Sequence, residues 1–159
     1  MTLILDSGGL TALAGQRARL AEFRRRGQWP PQIPSVVLTE ALTGDHRRDF
    51  HKNRLIALCQ VRDVTEVLAR DGARRRTPTG RAGTISATDA IVAAMATIFP
   101  SPIVLTSDPH DIASLLDEHP TRGHRLPGVT AALRRSANVA RLNDVQKTPS
   151  EVERDFEVE

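Results

Sequence analysis

The 159-residue sequence holds a single cysteine, Cys59, and no tyrosine. A lone thiol excludes a disulfide framework and a cysteine-based zinc site. Only four phenylalanines and one tryptophan, Trp29, remain, so base stacking on aromatic rings offers little help to any binding site. Lysine is scarce as well: Lys52 and Lys147 are the only two among 22 basic residues. No apolar run approaches the ~20 residues that a membrane-spanning helix needs. The opening MTLILDSGGL has neither the basic start nor the long apolar stretch of a secretory signal. Together these absences predict a soluble, cytoplasmic protein.

What is present is arginine and a modest apolar fraction. The length suits one domain with a real core, and 40% hydrophobic residues suit a globular chain. From Asp144 onward there are six acids and two bases, so residues 1–143 keep 20 bases and 13 acids, a net of +7. The sequence therefore divides into a basic body, 1–142, and an acidic polar tail, 143–159. An arginine-rich body points to an anionic partner, because the guanidinium fork binds phosphate well.

Short apolar runs alternate with helical patterns. LILD (Leu3 to Asp6) reads as a buried strand, and QRARLAEFRRRG as a helix stopped at Gly27. WPPQIP reads as a break. SVVLTEALTG (Ser35 to Gly44) reads as a strand end running into a short helix. RRDFHKNRLIALC reads as a helix, QVRDV as a strand, and TEVLARDGA as a helix capped by Thr65. RRRTPTGRAG (Arg74 to Gly83) reads as a basic loop. A helix follows over roughly Ala87 to Ile98, then the strand SPIVLTSD. PHDIASLLDE is a helix with Asp108 as cap and Pro109 at its first position. HRLPGVTAALRR is expected to hold a last strand and a short helix. Alternating elements of this kind predict an α/β domain with a parallel sheet.

The helix segment ISATDAIVAAMA poses a question, because a single acid, Asp89, sits in a small, apolar run. Burying an ionised carboxylate is costly unless it is paired, hydrogen-bonded or bound to metal. Ser86 as N-cap with Asp89 three residues on resembles a capping box, which explains an acid near a helix start. Three further segments repeat the feature: LILDSGGL gives Asp6, SVVLTEALTG gives Glu40, and VLTSDPHDI gives Asp108 and Asp111. Asp6 and Asp108 fall at strand ends, where sites form in open α/β sheets. Clustered carboxylates suit Mg²⁺ or Mn²⁺, which prefer oxygen ligands.

In order and setting these segments resemble the PIN-domain ribonucleases, most closely the VapC-type toxins of toxin–antitoxin pairs. The resemblance spans about Leu3 to Leu116 and is most specific in SATDAIVAAMA and VLTSDPHDI. It implies a three-layer α/β/α fold with a central parallel sheet and endonucleolytic, Mg²⁺- or Mn²⁺-dependent cleavage of RNA. It implies further a cognate antitoxin and a homodimer. The family's acidic quartet matches Asp6, Glu40, Asp89 and Asp108, with Asp111 as an additional metal-site acid; Asp108 and Asp111 compete for the fourth place. Ser7 and Thr106 match small hydroxyl positions beside the site. RNA is expected to meet Arg74, Arg75, Arg76 and Arg81 in the loop before the Asp89 helix, through phosphate contacts.

Two other enzyme classes also place acids at strand ends. Haloacid-dehalogenase phosphatases carry a second Asp two residues after the first, where this chain has Gly8. Receiver domains need a late lysine at a strand end, and neither Lys52 nor Lys147 fits. The alternative from another class is a PIN-like domain that binds RNA or a protein without cleaving, against which a full set of acids argues.

Overall fold

The computed structural model describes residues 1–117 and the strand 138–141. The acidic tail and the HRLPGVTAALRR stretch lie outside the described residues.

Among the described residues, five parallel strands form one sheet: β1 (Thr2–Leu5), β2 (Gln32–Pro34), β3 (Gln60–Arg62), β4 (Pro102–Thr106) and β5 (Asn138–Arg141). Their order across the sheet is β3-β2-β1-β4-β5. β1 is central, and Leu3, Ile4 and Leu5 are completely buried. A strand covered on both faces needs such an uninterrupted apolar run. β4 lies beside it in full register, from Thr2 opposite Pro102 to Leu5 opposite Leu105.

The described residues hold seven helices: α1 (Ser7–Leu13), α2 (Arg17–Arg25), α3 (Val37–Ala41), α4 (Phe50–Ile56), α5 (Glu66–Arg76), α6 (Ala87–Ala96) and α7 (Pro109–Leu116). Helix α1 packs on α2, α3 and α4, whereas α5, α6 and α7 pack on one another. The helices thus form two layers around the sheet, the expected three-layer α/β/α arrangement. Among the described residues no helix is long and apolar enough to cross a membrane. The core joins Leu3, Ile4 and Leu5 to Leu10, Leu13, Ile33, Val92, Met95, Val104, Leu105 and Ile112. The small residues of α6 let it lie close to its neighbours: a β-carbon on Gly72 of α5 would stand 3.1 Å from the Ala90 carbonyl.

Chain order and sheet order together locate the functional end. From β1 the chain moves outward on one side to β2 and β3, then crosses to β4 and β5 on the other. The carboxyl ends of β1 and β4 therefore flank the point where the winding reverses, and crevices open there in doubly wound sheets. Asp6 directly follows β1, and Thr106 closes β4.

Two local expectations are corrected. The second strand is Gln32–Pro34, inside WPPQIP, and the apolar SVVL mostly opens α3. Proline is tolerated at Pro34 because β2 meets β1 only at Gln32, two residues earlier. SGGLTAL is helix α1. Arg74, Arg75 and Arg76 are the last turn of α5 rather than part of a loop, so the cations lie at the C-terminal end of the helix dipole, which favours them.

Candidate metal centre

Asp6 is 3% exposed and caps α1, its Oδ1 accepting a hydrogen bond from the Gly9 backbone N–H at 2.5 Å. The Thr106 hydroxyl and the Ser107 backbone N–H also bond to this carboxylate. Burial pushes the Asp6 pKa above the usual carboxylate range; the three hydrogen bonds oppose that push, and the nearby Glu40 charge adds to it. Thr106 is fully buried and ties two acids together, since its Oγ1 also accepts from the Asp108 N–H at 2.9 Å.

The close approach that holds Asp6 depends on glycine. A β-carbon on Gly9 would overlap the Leu105 carbonyl oxygen, and one on Gly8 would overlap the Ser107 side chain. Two adjacent glycines therefore let the start of α1 press against the end of β4.

Asp89 lies in the first turn of α6, half-buried. Ser86 caps the helix as expected: its Oγ accepts from the Asp89 N–H at 2.9 Å. Burial raises the Asp89 pKa. A hydrogen bond from Ser86 opposes the rise, and the charges of Asp6, Glu40 and Asp108 reinforce it. Capping and participation in an acidic cluster coexist in one residue. Glu40 is exposed on α3, and its charge acts on both Asp6 and Asp89. Asp108 is exposed and caps α7 by accepting from the Asp111 N–H at 3.1 Å.

Four acids from four segments thus share one electrostatic neighbourhood at the switch point. Asp111 stands differently. It is buried, and its Oδ1 lies 2.7 Å from Nη1 of Arg81. Of the two rivals for the fourth place, Asp108 is the one whose charge reaches Asp89. Among the described residues, no three Asp, Glu, His or Cys side chains stand close enough to close on one ion as positioned. By donor type the quartet fits a hard divalent cation, which keeps several waters and takes few protein oxygens.

The four arginines expected to meet RNA are largely engaged within the protein. Arg75 pairs with Asp71 at 2.9 Å and donates to the Leu115 carbonyl and the Thr97 hydroxyl, tying α5 to α6 and α7. Arg76 donates to the Ala82 carbonyl. Arg81 holds Asp111, and exposed Arg74 lies 3.5 Å from Asp71. The Arg81–Asp111 pair was not visible in the sequence, because no local pattern links a loop arginine to a residue one helix and one strand away.

No protein-family model matches the sequence, and no curated protein is similar to it. Among solved structures, a chain in the crystal structure of DNA-bound VapBC from Salmonella typhimurium is similar in fold. The TM-score is 0.59 at 15% identity, covering 89% of this chain and 98% of that one. The likeness is one of fold: the protein is an α/β chain of the PIN-like three-layer architecture, and its nearness to a toxin–antitoxin complex rests on that shared fold.

Proposed function

We propose that the protein is a Mg²⁺- or Mn²⁺-dependent endoribonuclease and the toxin of a toxin–antitoxin pair. The observation that carries this reading is the electrostatic influence of Asp6, Glu40 and Asp108 on Asp89 near the sheet's switch point, with the pKa values of Asp6 and Asp89 raised there. Such a cluster stores unfavourable charge and burial that a divalent cation would relieve. Asp6, Glu40, Asp89 and Asp108 would hold the ion, with Asp111 at the edge. When bound, it would lower the pKa of an attacking water and offset charge on the phosphate oxygens.

The chain's own residues position this chemistry. Gly9, Thr106 and Ser107 fix the Asp6 carboxylate. Ser86 fixes Asp89, and the buried Thr106 sets the start of the segment carrying Asp108. The fold likeness to a VapBC chain supports an antitoxin partner, with a basic side chain entering the acidic pocket and an apolar segment covering a groove. The apolar groove beside Leu20, Leu55 and Leu58 is a suitable seat. The active form is a homodimer in this reading.

The test is cleavage of RNA by the purified protein with Mn²⁺ or Mg²⁺ and with excess EDTA. Cleavage that needs metal and vanishes in Asp89→Asn and Asp6→Asn supports the reading. RNA binding without cleavage under any metal condition would favour the non-cleaving alternative. Expression alone should slow growth, and co-expression of the adjacent gene should restore it. Sedimentation as a monomer at micromolar concentration would remove the dimer.

A further inference from the structure

An acidic pocket repels a polyanion, so the substrate strand needs cations at the same end of the sheet. Of the arginines preceding α6, Arg75, Arg76 and Arg81 are committed to Asp71, Asp111, Thr97 and backbone carbonyls. A second basic segment, Gly44–Arg48, follows Glu40 and α3 directly. The turn continues directly from α3, whose Glu40 charge acts on both Asp6 and Asp89.

This turn is rigid and its guanidinium groups are open. Asp45 Oδ1 accepts from the Arg47 N–H at 2.8 Å and from the Arg48 N–H at 3.2 Å. Buried Asp49 accepts from the Thr43 and Gly44 N–H groups, each at 2.9 Å. Gly44 has a φ of +81°, a left-handed conformation that a side chain would strain. Arg47 and Arg48 are both exposed. Among the described residues the Arg47 side chain has no ion-pair partner, and Arg48 has only exposed Asp45 at 3.9 Å. Such a loose, exposed pair adds little stability, so it gives up the guanidinium readily to a stronger anion. Lys52, by contrast, is spent on the Ala41 carbonyl at 2.5 Å.

We propose that the Gly44–Arg48 turn is a phosphate grip, with Arg47 and Arg48 holding the backbone of a single RNA strand beside Glu40. The proposal rests on the ribonuclease reading for the identity of the strand. A turn already fixed by Asp45 and Asp49 loses little freedom on binding, which is how preorganisation improves affinity. Charge-assisted guanidinium–phosphate contacts carry no base information. The grip therefore sets affinity and register, and sequence preference must arise elsewhere.

The test is fluorescence anisotropy of a short labelled single-stranded RNA of mixed sequence, titrated with the full-length protein in EDTA across a salt series. Each phosphate contact on a single strand contributes about 0.7 to the slope of log K against log salt. Arg47→Ala/Arg48→Ala should flatten the slope by about 1–1.5 units, whereas Arg47→Lys/Arg48→Lys should retain it. A double-alanine slope equal to wild type, in a protein that cleaves RNA with metal, overturns the grip and leaves the ribonuclease reading standing. A flattened slope in a protein that never cleaves supports the grip and sinks the ribonuclease reading. Absence of salt-dependent RNA binding by wild type overturns the grip.

Discussion

Arg81 holds Asp111: Nη1 of the guanidinium lies 2.7 Å from Oδ1 of a carboxylate whose side chain is only 12% exposed. The pair joins the segment before α6 to the first turn of α7, the two elements that carry Asp89 and Asp108. It gives Asp111 a structural task.

Removing Arg81 leaves a buried carboxylate without its cation. Exposed pairs are worth about 0–1 kcal/mol and breaking buried ones costs about 3–5, so this half-covered pair belongs between them. Arg81→Ala should lower stability by roughly 1–3 kcal/mol in urea unfolding. Arg81→Ala/Asp111→Ala should cost less than the two single changes together, because the orphaned charge is gone. Full additivity would show that the contact contributes nothing. Asp111→Asn should keep more ribonuclease activity than Asp89→Asn; equal losses would return Asp111 to the metal-binding set.

Asp89 makes a pH prediction. Its pKa is raised in the fold by burial and by Asp6, Glu40 and Asp108. Between the ordinary carboxylate value and the raised one, the native state binds more protons than the unfolded chain. Stability from this group therefore falls as pH rises across that window, and the penalty is complete above the raised value. Without metal, Asp89→Asn should melt higher than wild type at neutral pH, by about 2–4 °C for each kcal/mol relieved. The difference should close as pH drops below the usual carboxylate range. A melting temperature lowered at neutral pH would show that the carboxylate is stabilising as it stands.

The parts of this architecture that were readable in the sequence are those that local chemistry specifies. Ser86, Thr65 and Asp108 each accept a backbone N–H three residues on, and a cap is a short-range object. The buried runs LIL and PIVLT are strands because only a two-sided sheet can cover them. The misreadings come from long-range packing. Glycine weakens an isolated helix, while in α1 Gly8 and Gly9 admit the end of β4. Arg75 continues α5 because Thr97 and Leu115 receive it. The grouping of Asp6, Glu40, Asp89 and Asp108 was suggested only by segment order; that the charges of Asp6, Glu40 and Asp108 act on Asp89 follows from the sheet topology and no local pattern.

Gly9 offers a test of that packing. Glycine to alanine normally favours a helix by about 0.5–1 kcal/mol. At Gly9 the new methyl would overlap the Leu105 carbonyl oxygen, a backbone atom that cannot swing away. Overpacking of this kind costs about 1–3 kcal/mol, so the clash wins and Gly9→Ala should be destabilised. The shift would also loosen the N–H that holds Asp6, so cleavage should fall. Gly83→Ala is the control, since its β-carbon meets nothing within 4 Å; it should be neutral or more stable by about 0.4–1 kcal/mol. A Gly9→Ala protein as stable and active as wild type would mean that α1 does not need its close approach to β4.

Metal binding can be checked without measuring cleavage. A ligand that binds only the native state stabilises it by about 2.7 kcal/mol at a hundredfold excess over Kd. Mn²⁺ should therefore raise the melting temperature of wild type, and EDTA should reverse the rise. Asp6→Asn and Asp89→Asn each remove a charged oxygen donor and should blunt the shift, even though both start from a fold relieved of charge repulsion. Asp111→Asn should retain most of the shift, because its carboxylate faces Arg81. The order of the variants decides the site: the largest loss should follow Asp6 and Asp89, and the smallest Asp111. A wild-type melting temperature indifferent to Mn²⁺ and Mg²⁺ at millimolar concentration would mean that the quartet does not bind a divalent ion, and the proposed chemistry would fall with it.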